Sequence, residues 1–176
     1  MSDNLARAKL HRACYSFGYR SLRQNQQETF FARVRVLDAV VVDIRWNTVS
    51  GAKDWTEQAL RHELGANYLR LSCLGNRNYA QPARGFDIPN LRMGVRALEI
   101  LLEERPAILM CACEAEFRCH RSVVLTRLQA LGINVKELEL TTATNARNGM
   151  KRRTQPDASE QASLLPDAPN RPNAFY

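Results

Sequence analysis

Apolar residues form five short runs in the first 140 residues of the chain. The clearest run, residues 38–44, is β-branched and continuous, which is typical of a strand buried on both faces of a parallel sheet. Residues 107–113 form a second continuous run, and residues 14–19 and 67–71 form shorter ones. Residues 134–140 alternate between apolar and polar side chains, which predicts an edge strand. The pattern therefore predicts five strands.

The segments between these runs carry apolar residues at helical spacing. The spacing predicts four helices, near residues 21–37, 55–64, 89–105 and 121–131. Ser21, with Gln24 three residues later, predicts a capping box for the first helix. Asp54 is the expected N-cap of the second helix.

Strands that alternate with helices indicate an α/β fold. The order predicts a three-layer α/β/α sandwich with a mostly parallel sheet of about five strands, Rossmann-like or flavodoxin-like. We assign the fold to one domain over residues 13–141, after a polar lead-in over residues 1–12. Residues 142–176 are rich in Pro, Asn, Ala, Ser and charges without a periodic apolar face, so we expect a mostly disordered polar tail.

The carboxyl ends of the predicted strands are where such a fold binds ligands. Four segments follow predicted strands and are rich in polar groups: residues 18–21, 43–46, 72–78 and 113–121. The second holds Asp43 and Arg45, and the last holds Cys113, Cys119, His120 and Arg121, all of which are expected at the same edge of the sheet. We therefore expect the functional site to combine them.

The consecutive residues Cys119, His120 and Arg121 stand where the fourth helix should begin. A helix start already carries unpaired N–H groups and a positive dipole, so Arg and His are unfavourable there unless an anion completes the site. A phosphate or carboxylate held by backbone N–H groups and the Arg121 guanidinium would satisfy this requirement. The alternative is an ordinary salt bridge from Arg121 to Glu114 or Glu116.

Cys113 lies at a strand end that faces this helix start, where a thiol can act as a nucleophile. His120 could serve as its base or as a general acid. The Cys-x5-Arg spacing of cysteine phosphatases is absent, because the sixth residue after Cys113 is Cys119. Cys111 is expected to be a buried small hydrophobe.

Two other interpretations of the cysteines remain open. Cys111, Cys113, Cys119 and His120 could hold zinc, although structural zinc sites usually show two pairs of ligands two to four residues apart. A disulfide between Cys113 and Cys119 could form under oxidation. The main interpretation contains no metal and no cofactor.

Four further residues are candidates for ligand contact or proton transfer. Asp43 could orient Arg45, accept from a ribose hydroxyl or act as an acid or base, or it could be a capping or salt-bridge residue. Gly75 allows close backbone approach to a ligand. Gly18 and Tyr19 lie at the end of the first strand and are expected at the same sheet edge.

The net charge indicates which classes of partner to expect, and the N-terminal sequence indicates the expected location. The net charge is +7, which favours an anionic small molecule, a nucleotide or nucleic acid. Residues 1–36 hold seven Arg and Lys, so nucleic acid could bind through this basic N-terminal region, although a solvated basic face explains it too. No apolar signal segment or membrane-length run is visible, so we expect a cytoplasmic protein that does not enter a membrane.

Five segments occur in the order seen in a bacterial and phage family, domain of unknown function 488. They are residues 15–19 (YSFGY), 41–45 (VVDIR), 68–75 (YLRLSCLG), 109–114 (LMCACE) and 119–121 (CHR). The chain resembles this family over roughly residues 13–140. The resemblance implies a three-layer α/β domain without an assigned activity. Its motif falls on Gly18, Asp43, Arg45, Gly75, Cys113, Glu114, Cys119, His120 and Arg121.

The chain departs from the family pattern at two places. Residues 46–51 lack the Pro and the Ser-Arg pair that family members usually carry after Asp-x-Arg. Asn76 stands where a second Gly is common. Both departures concern the substrate side of the expected pocket.

These observations favour an enzyme with an anion pocket at the carboxyl edge of the sheet, acting on a phosphate, a nucleotide or a nucleic-acid-derived ligand. Arg45 and Arg121 would bind the anion, His120 would transfer protons, and Asp43 and Glu114 would orient them. A non-catalytic module that senses a ligand or associates with nucleic acid is the first alternative. A small zinc-binding domain is the second.

Overall fold

The structure is a computed structural model that describes residues 12–22, 26–49, 53–113 and 116–140. The predicted tail, nearly all of the predicted lead-in, and Glu114 lie outside the described residues. No helix in these ranges is long and apolar enough to cross a bilayer.

The described residues contain a five-stranded sheet, as the apolar runs predict. Its strands are β1 (Cys14–Gly18), β2 (Val40–Asp43), β3 (Tyr68–Arg70), β4 (Ala107–Cys111) and β5 (Val135–Glu137). Every neighbouring pair is parallel, and the strand order is β3-β2-β4-β1-β5. The predicted parallel sheet is therefore confirmed, with β5 at one edge.

Four α-helices lie between the strands at the predicted places. They are α1 (Gln27–Leu37), α2 (Glu57–Leu64), α3 (Leu91–Glu104) and α4 (Arg121–Ala130). Asp38 ends α1 in the left-handed region with φ 47°, so β2 begins two residues later than the apolar run suggests. The helices themselves are confirmed.

Both predicted N-caps are wrong. α1 starts after Gln26, which makes no side-chain cap hydrogen bond, and Ser21 belongs to a 3-10 turn over Tyr19–Ser21. α2 is capped by Thr56, whose Oγ1 accepts from Ala59 N at 3.2 Å. Thr56 has the extended backbone that an N-cap requires, whereas Asp54 lies inside a 3-10 turn.

The helices cover both faces of the sheet, which confirms the three-layer class. Phe30, Phe31 and Val34 of α1 and Leu60 of α2 pack on one face, and we call this the α1/α2 face. The other face, which we call the α3/α4 face, is covered by α3 and α4 through the buried residues Val95, Leu98, Leu102, Val124, Leu125 and Leu128. Each face buries alternate residues of the strands.

The chain reverses its direction across the sheet once. It runs from β1 past β4 to β2 and then to β3, and afterwards returns to β4 and continues past β1 to β5. Right-handed crossovers that run in opposite directions place their helices on opposite faces of the sheet. The loops that follow the central strands therefore turn toward opposite faces and leave a crevice at the carboxyl ends of those strands. The order differs from the Rossmann (3-2-1-4-5-6) and flavodoxin (2-1-3-4-5) orders, but it leaves the same kind of crevice.

Candidate functional site

The structure divides the expected site residues between the two faces of the sheet. Asp43 and Arg45 lie with Tyr19, Trp55 and Tyr68 on the α1/α2 face, and we call these five the Asp–Arg group. The thiol group is formed on the α3/α4 face by Cys111, Cys113, Cys119, His120 and Arg121. Within the described residues, no side-chain hydrogen bond or ion pair joins the two groups.

Within the Asp–Arg group, Asp43 and Arg45 are bound to each other. Arg45 Nε donates to Asp43 Oδ1 at 2.8 Å and to Oδ2 at 3.0 Å, and Nη2 also donates to Oδ2. Nη1 donates to Trp55 O at 2.7 Å and to Tyr19 Oη at 3.3 Å. Tyr68 Oη donates to Asp43 Oδ2 at 2.7 Å. Few hydrogen-bonding positions remain for a ligand.

Electrostatics keep Arg45 charged and the Tyr68 hydroxyl protonated. Although burial opposes the charged form, the hydrogen bond to Asp43 and its negative charge raise the pKa of Arg45. Burial and the Asp43 charge raise the pKa of Tyr68, so its hydroxyl stays protonated and donates. Tyr19 stacks on Trp55 with ring centroids 4.7 Å apart and closes the group from above Arg45. The Asp–Arg group is thus a satisfied, buried network.

The thiol group joins the end of β4 to the start of α4. Cys111 Sγ lies 3.0 Å from Cys119 Sγ, and all three thiols are free. Cys113 N donates to Cys111 Sγ at 3.2 Å, and Arg121 N lies 3.5 Å from Cys119 Sγ. Hydrogen bonds from Cys111 and Cys119 lower the pKa of Cys113, and the Arg121 charge acts in the same direction. Hydrogen bonds to Cys113 and Cys119, together with burial, raise the pKa of Cys111.

His120 connects α4 to the end of β2. Its Nε2 lies 3.1 Å from Ile44 O, and because a carbonyl only accepts, Nε2 carries the proton. Nδ1 is then the unprotonated nitrogen of the neutral ring, and it lies 3.7 Å from Cys119 Sγ. Burial lowers the pKa of His120, so the ring is neutral at pH 7.

Arg121 is the least satisfied charge in the described part of the chain. Its residue is 2% exposed, and its Nη2 donates to Cys113 O at 3.4 Å. Nε and Nη1 are buried and have no hydrogen-bond partner there. Glu116, one of the two carboxylates considered as a partner, forms no ion pair with Arg121, and Glu114 lies outside the described residues.

The two expected ligand-binding glycines allow close backbone contacts. A Cβ on Gly18 would stand 1.8 Å from Cys113 O and 2.9 Å from Arg121 Nη2. A Cβ on Gly75 would stand 2.7 Å from both Cα and N of Trp46. Gly18 therefore fits the loop after β4 against the end of β1, and Gly75 fits the loop after β3 against the loop after β2.

Three exposed aromatic side chains lie on the loops after β2 and β3. We call Trp46, Tyr79 and Phe86 the aromatic rim; they are 39%, 55% and 46% exposed. Asn47 Nδ2 donates to Tyr79 Oη at 3.0 Å, which joins the two loops. The Phe86 ring contacts the His120 ring edge-on, with centroids 6.5 Å apart.

Sequence reasoning missed the roles of Tyr68, Trp55, Asn76 and Phe86. Tyr68 lies at the start of β3 and could have been paired with Asp43 once β2 and β3 were known to be neighbours. Trp55 contributes a backbone oxygen, which no residue pattern reveals. Asn76 is buried in a polar loop, and its side-chain oxygen accepts from Asn78 N at 3.0 Å and Asp87 N at 2.9 Å.

We expect Asn76→Ala to lower the free energy of unfolding by about 1–2 kcal/mol, because two partly buried N–H groups lose their acceptor. Asn76→Asp keeps an acceptor oxygen in nearly the same place and serves as the matched control. Urea denaturation measures both. Equal losses for Ala and Asp would show that the acceptor does not hold this loop.

Comparisons with known proteins agree with the resemblance seen in the sequence. No curated protein and no solved structure matches the chain significantly. A family model described as Domain of unknown function DUF488 matches residues 33–128, which is more than half of the chain. The matched segment contains the Asp–Arg pair, Gly75 and the thiol group. The chain therefore belongs to the family of unknown function DUF488.

Proposed function

We propose that this domain binds a phosphorylated ligand of the nucleotide class at the carboxyl edge of the sheet, with Arg121 receiving the phosphate. The observation that carries the proposal is the buried Arg121 guanidinium, whose Nε and Nη1 lack partners among the described residues. It lies at the start of α4, where the helix dipole adds positive potential.

Burial makes this guanidinium costly without an anion. Removing an arginine charge from water costs several kcal/mol unless a counter-charge and hydrogen bonds compensate. Arg45 provides the contrast, because it is similarly buried but donates to Asp43, Trp55 and Tyr19. A phosphate would supply Arg121 with a negative charge and acceptors for both free nitrogens.

The aromatic rim supports a ligand that also carries a flat ring. Phe86 touches His120, the residue before Arg121, and Trp46 belongs to the loop that follows Ile44, which His120 contacts. Exposed aromatic side chains stack on nucleobases, with about 1–3 kcal/mol per stacked base. A phosphate beside a stacking surface is the combination that a nucleotide fits.

Catalysis would fall to Cys113. Its thiol is the partly exposed one of the thiol group. Its carbonyl oxygen accepts from Arg121, so a phosphate bound to Arg121 would lie near Cys113. His120 has Nε2 engaged by Ile44 O, and Asp43 is engaged by Arg45 and Tyr68. These engaged groups favour, as the second candidate, a module that senses a nucleotide without converting it.

The binding proposal predicts selective thermal stabilisation of the full chain by AMP. At about 100 times its dissociation constant AMP would add roughly 2.7 kcal/mol, or roughly 5–11 °C in Tm. Inorganic phosphate should give a smaller shift at equal concentration, and adenosine almost none. Equal Tm shifts from AMP and phosphate would show that the ring of the nucleotide does not contribute to binding.

Arg121→Gln should abolish the AMP shift, because it removes the charge and the fork of donors. Arg127→Gln is the matched control, since Arg127 is exposed on the same helix. An undiminished AMP shift in Arg121→Gln would overturn the proposal. Chemical conversion of AMP by the wild type, absent in Cys113→Ser, is expected of an enzyme, and binding without conversion is expected of a sensing module.

A further inference from the structure

We propose that Cys111 Sγ, Cys119 Sγ and His120 Nδ1 form a zinc centre with three protein ligands. The three residues are buried, and each offers a ligand atom that lies within 4.8 Å of the other two. Cys111 ends β4, whereas Cys119 and His120 immediately precede α4, so the fold brings together groups eight and nine positions apart. This inference does not depend on nucleotide binding.

The imidazole is already held in the form that a metal requires. Nε2 donates to Ile44 O at 3.1 Å, which leaves the unprotonated Nδ1 beside Cys119 Sγ at 3.7 Å. Metal-binding histidines usually donate their other ring nitrogen to a carbonyl or carboxylate, because this fixes the tautomer and the ring orientation. Ile44 O supplies this interaction here.

The two sulfurs also have backbone donors suited to thiolates. Cys113 N donates to Cys111 Sγ at 3.2 Å, and Arg121 N lies 3.5 Å from Cys119 Sγ. Such N–H groups stabilise negative charge on sulfur without displacing a metal from its remaining lone pairs. The cluster therefore has surrounding donors as well as potential ligands.

The donor set selects the class of metal. Two thiolates and an imidazole suit zinc, whereas magnesium and calcium require oxygen ligands. With Zn–S bonds of about 2.3 Å, tetrahedral geometry separates two sulfurs by about 3.8 Å. The present separation of 3.0 Å would thus increase by less than about 1 Å, which side-chain rotation can provide.

The ligand count indicates an incomplete coordination shell, because the mutually close set offers three protein ligands. Two thiolates would neutralise the charge of Zn²⁺. Three protein ligands with one open position are typical of reactive zinc sites, whereas structural sites have four. We assign Cys113 to the surroundings of this centre, because its thiol interacts with Cys111 and Cys119 but does not lie within 4.8 Å of all three ligand atoms.

The test is the metal content of the reduced full chain after anaerobic reconstitution with Zn²⁺ and removal of excess metal. We expect about one zinc per chain in the wild type and almost none in Cys111→Ser, Cys119→Ser or His120→Ala. Cys113→Ser and the control Cys73→Ser should keep the metal. Loss of zinc in Cys113→Ser would overturn the three-ligand centre.

Substitution by Co²⁺ gives a second measurement that needs no variant to fold. The wild type should show intense thiolate-to-cobalt absorption in the near ultraviolet and the strong visible bands of a tetrahedral ion. Absence of these bands, or a reduced chain that binds neither metal, would overturn the proposal. So would a disulfide between Cys111 and Cys119 that persists under anaerobic reducing conditions, which peptide mass mapping would identify.

The zinc and nucleotide proposals can fail separately. Arg121→Gln should lose the AMP shift and keep its zinc, because the Arg121 side chain is not a ligand. Cys111→Ser should lose zinc whatever its response to AMP. Loss of zinc in Arg121→Gln would show that its guanidinium is required for the centre and would contradict the ligand set.

Discussion

Asp43→Ala should lower the free energy of unfolding by roughly 3–5 kcal/mol, because it leaves the Arg45 charge buried without its partner. The carboxylate accepts from Arg45 Nε, Nη2 and backbone N, and from the Tyr68 hydroxyl. No other carboxylate forms an ion pair with Arg45 in the described residues. Urea denaturation of the full chain measures the loss.

Two variants show whether burial is the cause. Glu63→Ala breaks the exposed pair with Arg35 and should cost less than about 1 kcal/mol, because water screens that pair. Asp43→Ala combined with Arg45→Met should recover part of the stability, since it removes the unpaired charge. A loss below about 1 kcal/mol in Asp43→Ala would contradict the buried network.

Gly18→Ala should be nearly as damaging. The new Cβ would stand 1.8 Å from the backbone oxygen of Cys113 and 2.9 Å from Arg121 Nη2. Because the closer atom belongs to the backbone, either β1 or the segment after β4 must move. We expect a loss of about 3 kcal/mol or more in the free energy of unfolding, at the upper end of overpacking effects.

A matched glycine isolates this steric effect. Gly132 has φ 78° and no atom near its missing Cβ, so Gly132→Ala meets only backbone strain of about 1 kcal/mol. Differential scanning calorimetry should rank the two variants clearly. If Gly18→Ala is no worse than Gly132→Ala, the close approach of Cys113 O to β1 does not limit the fold.

Local sequence patterns predict the helices and strands of this fold, because the spacing of apolar residues within each segment determines which element it forms. The continuous run around Val40–Asp43 indicates a strand covered on both faces, and Leu98 and Leu102 indicate the buried side of α3. The strand order is not recorded in this way, because the crossover lengths are compatible with several orders. The helix starts at Gln27 and Glu57 depend on backbone angles that Ser21 and Asp54 do not adopt.

The predicted site residues lie at or just beyond the carboxyl ends of β1, β2 and β4, but the sequence prediction placed the Asp43–Arg45 half and the Cys119–Arg121 half facing each other. Successive strand residues alternate between faces, so Asp43 follows Val41 to the α1/α2 face, whereas Ile44 follows Val42 to the α3/α4 face. Because strand side chains alternate between faces, Arg45 lies on the α1/α2 face, whereas Arg121 lies with the thiol group on the α3/α4 face. The partners of these arginines depend on the tertiary structure, which residue types alone do not show.

The interior position of β1, between β4 and β5, has a consequence for how the chain folds. β1 pairs with β4 and β5, so Cys14 meets Ala107 and Val135, whereas β2 finds a first partner earlier, in β3, where Val41 meets Tyr68. During synthesis β1 would wait for more than half of the chain before its backbone groups found strand partners. Such long-range pairing slows folding and prolongs exposure of unpaired strand edges. The strand made first is therefore among the last to be secured in the sheet, and newly synthesised chains are most vulnerable to aggregation during this interval.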